Sequence, residues 1–204
     1  IDTTAPIAAT DLNGDLALAR TEAEIALRFA LTAGHAEARS PFLVLFAAVA
    51  STAEVHPEVE TLLAQRTPQL TTFLWQSFVG WLVLAAGDRD RAARLGAMAM
   101  ENGLETLARD QSWFSYFYGF VELAIELKEP EWAQVAYDAL LPYADRYLVL
   151  ANGAFCYGSA ELPLARLAEV AGIAEAAAHY RRAEERNEAI GARVWLQSAT
   201  PPAT

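Results

Sequence analysis

A single cysteine, Cys156, leaves the 204-residue chain no internal disulfide to form. That excludes the disulfide-stapled small folds and fits a reducing, cytoplasmic setting. Lysine is as scarce: Lys128 is the one lysine, and lysine and arginine together number 15 against 26 acidic residues, a formal charge of −11. The arginines are scattered, so no basic cluster can hold phosphate or anionic lipid, and direct nucleic-acid binding is not expected. With 11 Gly and 9 Pro against 54% hydrophobic residues, disorder and collagen-like order are excluded as well. The longest uncharged stretch, 68–87, has the length of a bilayer span. Gln69, Thr71, Thr72, Gln76 and Ser77 interrupt its first half, and a buried helix is expected there, with no membrane association.

Catalytic and ligand-binding signatures are also missing. No G-x-x-x-x-G-K-[ST] phosphate loop, H-E-x-x-H pair or G-x-S-x-G elbow occurs in the sequence. His35, His56 and His179 lie far apart; Glu175 and His179 are spaced to meet on one helix face, but two ligands do not make a metal site. No catalytic, cofactor-binding or metal-ligating residues are therefore assigned, and no cofactor is expected.

Helical periodicity is what remains, and it is strong. Apolar residues recur at helical spacing over 15–33, 41–52, 57–65, 69–86, 88–107, 112–127, 131–141, 162–171 and 174–190, while 147–157, with its central Asn-Gly, reads as an extended piece. A turn-and-alanine signal punctuates these helices: GDLALA at 14–19, GDRDRA at 87–92, KEPEWA at 128–133 and GIAEA at 172–176. Each ends one helix and starts the next. The spacing predicts an all-α fold, a right-handed superhelical stack of antiparallel helical hairpins in one domain over 1–197, with a disordered tail at 198–204. Ala92, Ala133 and Ala176 would be the small residues at which helices cross. Their separations exceed the 34-residue tetratricopeptide period, so joints are expected near 103–112 and 142–156. The first helix carries the signal of a second helix in a hairpin, so the array begins with a truncated repeat, whose bare apolar stripe calls for an upstream domain, a second copy or a partner. The opening, IDTTAPIAAT, without an initiator Met, fits a piece of a longer chain.

Four runs carry a family likeness: GLETLARDQSWFSYFYGFVELA, YDALLPYADR, FCYGSAELPLARLAEVAG and AAAHYRRAEERNEAIGARVWL. They resemble the C-terminal tetratricopeptide-like repeat region of bacterial LuxR-type and AAA-ATPase transcriptional regulators and of related nucleotide cyclases. The likeness covers 88–197 by motif and the first 85 residues by pattern. It implies a non-enzymatic sensor and protein-interaction module; ATPase or cyclase activity would belong to upstream domains. Partners so implied are a protein or peptide, the upstream domains of the same polypeptide among them; a homo-oligomer, a free-standing adaptor and a small-molecule inducer site stay open as alternatives.

In tetratricopeptide-like hairpins the first helix of each pair lines a concave groove. Extending that register gives a candidate binding surface of Ser77 and Trp81, then Ser115, Tyr118 and Glu122, then Ser159, Arg166 and Glu169. It mixes aromatic anchors with a few charges, a pattern suited to a peptide or helix with one or two polar fixings. The competing expectation is that the long joints fold back and fill the groove.

Overall fold

The computed structural model describes residues 16–34, 72–107, 109, 113–150 and 155–198. The helices predicted over 41–52 and 57–65 and the tail from 199 on lie outside the described residues. The described chain is mostly helical: α1 Leu16–Thr32, α2 Phe73–Ala85, α3 Arg89–Asn102, α4 Trp113–Leu127, α5 Pro130–Leu140, α6 Glu161–Ala171, α7 Ala176–Ala189 and α8 Arg193–Ser198. A small antiparallel sheet, β1 Tyr147–Leu150 with β2 Phe155–Ser159, stands between α5 and α6. The mostly helical chain is consistent with the all-α expectation, and the small sheet falls in the 147–157 stretch read as extended.

Four turns share one construction. In each, a residue with positive φ follows the helix, and the next backbone N–H reaches five residues back: Asp88 to Val83 O at 3.1 Å, Glu129 to Ala124 O at 3.0 Å, Ile173 to Ala168 O at 2.8 Å and Ala192 to Asn187 O at 2.9 Å. The left-handed residues are Gly87, Lys128, Gly172 and Gly191. This Schellman closure satisfies helix carbonyls that would otherwise be orphaned and reverses the chain. The next helix then starts at once where the sequence supplies a start signal. Asp88 caps α3 by accepting from Arg91 N at 3.1 Å, and Pro130 opens α5, where its missing N–H forfeits nothing.

Three hairpins result: α2 with α3, α4 with α5, and α6 with α7. The helix α4 packs on α2 and α3 before it and on α5 and α6 after it, and α5 also packs on α6. The reason α4 sits centrally is its sequence, WFSYFYGFVELAIEL, apolar on almost every face and buried at ten positions. Phe73 and Phe78 from α2, Phe117, Phe120 and Leu123 from α4, Leu140 from α5 and Leu148 from β1 form the fully enclosed centre. A second, smaller cluster of Leu162, Ala165, Tyr180 and Ala183 closes α6 onto α7.

Close crossings depend on small residues. A Cβ on Gly119 would stand 2.9 Å from the backbone oxygen of Ser77, and one on Gly96 would stand 2.3 Å from Trp132 Cζ3. Ala92 and Ala133 are fully buried, as their anchor role requires. Ala176 is only partly buried at the start of α7, and the enclosed small residue of that helix is Ala183. The turn after α6 is longer than the other two, so α7 starts at 176 instead of 174.

Two further boundaries differ from expectation. The helix predicted over 88–107 stops at Asn102, because Gly103 leaves helical geometry at φ 78, and a short 3-10 turn, Leu104–Thr106, follows. The α8 helix runs through Ser198, one residue past the boundary drawn at 197.

Candidate functional site

The first helices of the three hairpins, α2, α4 and α6, lie side by side and carry most of the predicted groove residues. Ser77, Trp81, Ser115, Tyr118 and Ser159 are buried, Glu122 and Arg166 are half-buried, and Glu169 is exposed. Trp81 and Tyr118 meet edge to face at 5.9 Å between ring centroids. Both are covered by Tyr157 of β2, whose ring lies 4.0 Å from Tyr118 and 6.3 Å from Trp81. The β hairpin therefore sits on the aromatic part of this face.

The polar part of the face reaches solvent. Arg166 on α6 bridges to α4 with two charge-assisted bonds, to Glu122 Oε1 at 3.0 Å and to Glu126 Oε1 at 2.8 Å. Burial pulls the Arg166 guanidinium toward deprotonation, but the charges of Glu122, Tyr118 and Glu126 outweigh it and hold its pKa above the ordinary value. Burial, reinforced by the Glu122 charge, pushes the Tyr118 hydroxyl well above the usual phenol range. Farther along, Tyr180 donates to Glu169 Oε2 at 2.7 Å. Its hydroxyl is likewise raised, by burial first and by that bond second. The resulting strip can bind charged or hydrogen-bonding groups at its acidic edges, with the arginine fixed between them.

A second polar group, which the sequence did not reveal, joins α5, α6 and α7. His179, predicted to lie near Glu175, turns instead to Glu161, with Nδ1 2.5 Å from Oε2, and to Tyr137, with Nε2 2.8 Å from the hydroxyl. Arg182 reaches the other carboxylate oxygen through Nε at 2.8 Å. Its terminal nitrogen also stands 2.7 Å from His179 Nδ1, yet one ring nitrogen cannot donate to a carboxylate and accept from a guanidinium together. The carboxylate is the stronger acceptor for both cations and N–H donors, so the consistent assignment is Nδ1–H to Glu161, with Nε2 accepting from Tyr137. A hydroxyl, an imidazole and a carboxylate in line is also how a nucleophile is activated. Here Tyr137 and His179 are enclosed, and burial raises the Tyr137 hydroxyl away from ionisation. The arrangement satisfies buried polar atoms between hairpins.

A third set of contacts anchors the β hairpin to α7 and α8. Asn187 Oδ1 accepts from Ser159 N at 2.7 Å, Trp195 Nε1 donates to Cys156 O at 2.9 Å, and Tyr147 donates to Arg186 O at 3.1 Å. The Arg186 guanidinium lies over the Tyr147 ring and donates to Asp145 O. In the ladder, Tyr157 and Gly158 together oppose Leu148, a bulge that Gly158 makes with φ 70. A side chain at 158 would meet Asn187 Oδ1 at 2.6 Å and Trp195 Cδ1 at 2.9 Å. Tyr157, Asn187 and Trp195 were absent from the predicted site; the YGS run within the joint was the available signal.

Among the described residues no three His, Cys, Asp or Glu side chains are placed to hold one metal ion, and no helix is long and apolar enough to cross a membrane. No protein-family model matches the chain, and no curated protein or solved structure matches it.

Proposed function

We propose that the chain is a non-enzymatic, tetratricopeptide-like interaction and sensing module, the C-terminal helical-repeat part of a bacterial cytoplasmic regulator. The observation that carries this reading is the serial packing of the three hairpins. Each is closed by the same turn, and α4 touches both helices of the hairpin before it. That arrangement is what neighbour-on-neighbour repeat arrays require. Its continuation as a right-handed superhelix belongs to the same proposal. The likeness of residues 88–197 to the repeat regions of LuxR-type and AAA-ATPase regulators supplies the biological setting, in which upstream domains deliver the output.

The partner in this reading is a protein or peptide that engages the α2–α4–α6 face, using the half-exposed Glu122–Arg166–Glu126 strip as its polar fixing. The test is selection from a random-peptide display library on the purified chain, followed by affinity measurement on the Arg166→Glu and Glu122→Arg variants. A selected peptide whose Kd rises by about ten-fold or more in either variant, a change of about 1.4 kcal/mol, supports the reading. Failure to select any peptide, or peptides that bind both variants as tightly as the parent, overturns it.

A further inference from the structure

We propose that the aromatic corner at the start of α4 is a binding site for a weakly hydrated organic cation, occupied in this structure by the chain's own Arg109. It rests on residues outside the Glu122–Arg166–Glu126 strip, so it neither needs the peptide reading nor falls with it.

The first turn of α4 supplies Trp113 and Phe114, and the 3-10 turn Leu141–Tyr143 that follows α5 supplies Tyr143. The three rings meet pairwise at an incline: Trp113 with Phe114 at 4.6 Å and 73°, Phe114 with Tyr143 at 5.2 Å and 80°, and Trp113 with Tyr143 at 5.5 Å and 40°. Inclined rings make walls, where parallel rings would make a stack. Two of these walls are braced: Phe117 stacks on Trp113 at 4.5 Å and 17°, and Pro142, with its fixed φ, leads the backbone into Tyr143. Trp113 is buried, Phe114 and Tyr143 are half-buried, and Arg109 is exposed. The corner therefore meets solvent on the Arg109 side.

The occupant shows the chemistry. Arg109 Cζ lies over the Trp113 ring, 4.3 Å from its centroid, and Nη1 donates to the Tyr143 hydroxyl at 3.1 Å. Among the described residues no carboxylate pairs with this guanidinium, in a chain with 26 acidic residues against 15 lysines and arginines. A cation held by ring faces in place of a carboxylate is the arrangement by which aromatic cages take quaternary and methylated ammonium groups. Ring faces carry the negative part of the aromatic quadrupole, so they favour a cation that sheds its water readily. Arg109 forfeits one ring face and one neutral hydrogen bond when it leaves, and exposed side chains change rotamer in picoseconds to nanoseconds. It is a placeholder that another cation displaces. The net charge of −11 concentrates such cations near the surface.

Titration of the full chain with tetramethylammonium chloride, against sodium chloride at equal ionic strength, tests the site by NMR on the Trp113 indole N–H. That N–H is buried without a hydrogen-bond partner among the described residues, so its shift follows the surroundings of the ring; Trp113→Phe assigns the peak. Arg109→Ala, which removes the placeholder and keeps the rings, should bind tetramethylammonium about five-fold or more tightly than the parent. Tyr143→Phe keeps the wall but removes the hydrogen bond to Arg109, and should fall between the two. Adding Tyr143→Leu to Arg109→Ala takes away a wall and should cancel the gain; if that variant unfolds, the Arg109→Ala arm decides alone. A trimethyllysine peptide compared with its unmodified-lysine form separates the sources: preference for the trimethylated peptide supports a side-chain ligand, and binding of tetramethylammonium without it supports a free ammonium compound. Absence of a saturable shift in Arg109→Ala, or equal shifts with sodium and tetramethylammonium, overturns the proposal.

Discussion

Lys128 stands at φ 59 in the α4–α5 turn, in the left-handed position that Gly87 holds at φ 86 in the α2–α3 turn. Both residues precede the N–H that closes the Schellman bond, Glu129 to Ala124 O and Asp88 to Val83 O. A Cβ in that region crowds the neighbouring carbonyl and costs about 1–2 kcal/mol, against which a lysine at a helix C-terminus recovers about 0.3–1 kcal/mol. Lys128→Gly should therefore stabilise the protein by up to about 1 kcal/mol. Urea denaturation should show a higher midpoint at unchanged slope, and a lower midpoint would mean that the lysine side chain makes a contact outweighing its strain.

The two glycines of the α2–α4 crossing should respond differently to alanine. At Gly119 the added carbon would meet the Ser77 backbone oxygen at 2.9 Å and Phe78 Cα at 3.4 Å, atoms that cannot turn aside. At Gly80 the nearest atom is Leu123 Cδ1 at 2.9 Å, the end of a flexible side chain, with Leu95 Cβ next at 3.3 Å. Alanine gains up to about 1 kcal/mol in a helix interior over glycine, and overpacking loses about 1–3 kcal/mol. Gly119→Ala is expected to destabilise by about 1–3 kcal/mol and Gly80→Ala by distinctly less. Equal losses in parallel denaturation curves would show that the crossing relaxes as one body.

The turns were the legible part of this fold. Gly87-Asp88 and Lys128-Glu129-Pro130 combine a helix stop with a helix start, and the α2–α3 and α4–α5 hairpins fall where those signals place them. After Gly172 no proline or side-chain cap starts the next helix, so the first residue of α7 could not be read; Ala176 packs against the core while only partly buried, and Ala183, two turns on, is fully enclosed. The polar group of Tyr137, Glu161, His179 and Arg182 was illegible for a different reason: its members come from three helices, and only Arg182 and His179 are neighbours on one helix. The local pairing of Glu175 with His179 suggested by spacing lost to a carboxylate brought in by tertiary packing. Periodicity placed seven of the eight groove residues on α2, α4 and α6, while Ser159, read as opening the last repeat's first helix, stands in β2. The burial of Trp81 and Tyr118 under Tyr157 depended on where the extended 147–157 segment docked, which periodicity does not encode.

Removing two members of the buried polar group together should cost less than the two single losses added. Tyr137→Phe leaves His179 Nε2 enclosed without its donor, and an unsatisfied buried acceptor costs about 1–3 kcal/mol. His179→Leu leaves both the tyrosine hydroxyl and one oxygen of Glu161 without their present partner. The double variant removes acceptor and donor together, so its loss should fall short of the sum of the single losses by about 0.5–3 kcal/mol, the range for contacting groups. A double-mutant cycle from urea unfolding measures this coupling. Strict additivity would mean that the 2.8 Å contact is not an energetic hydrogen bond.

Alkaline pH should weaken the fold, and the sign follows from three tyrosines. The hydroxyls of Tyr118, Tyr137 and Tyr180 are all raised above the ordinary phenol value of 10.0, in each case by burial first. A folded state that holds its protons more tightly than the unfolded chain is favoured fully below the unfolded pKa. That advantage is lost as pH climbs above it toward the folded values, at about 1.4 kcal/mol per pH unit for each tyrosine still protonated in the fold. Stability should thus decline from about pH 10 upward. Tyr118→Phe removes a group whose ionisation is opposed first by burial and then by the charges of Glu122 and Glu126, so the variant should start less stable at neutral pH yet decline less steeply above about pH 10. Unfolding free energies measured across the alkaline range in parent and variant check the claim, and parallel slopes would show that Tyr118 ionises in the folded protein as easily as in the open chain.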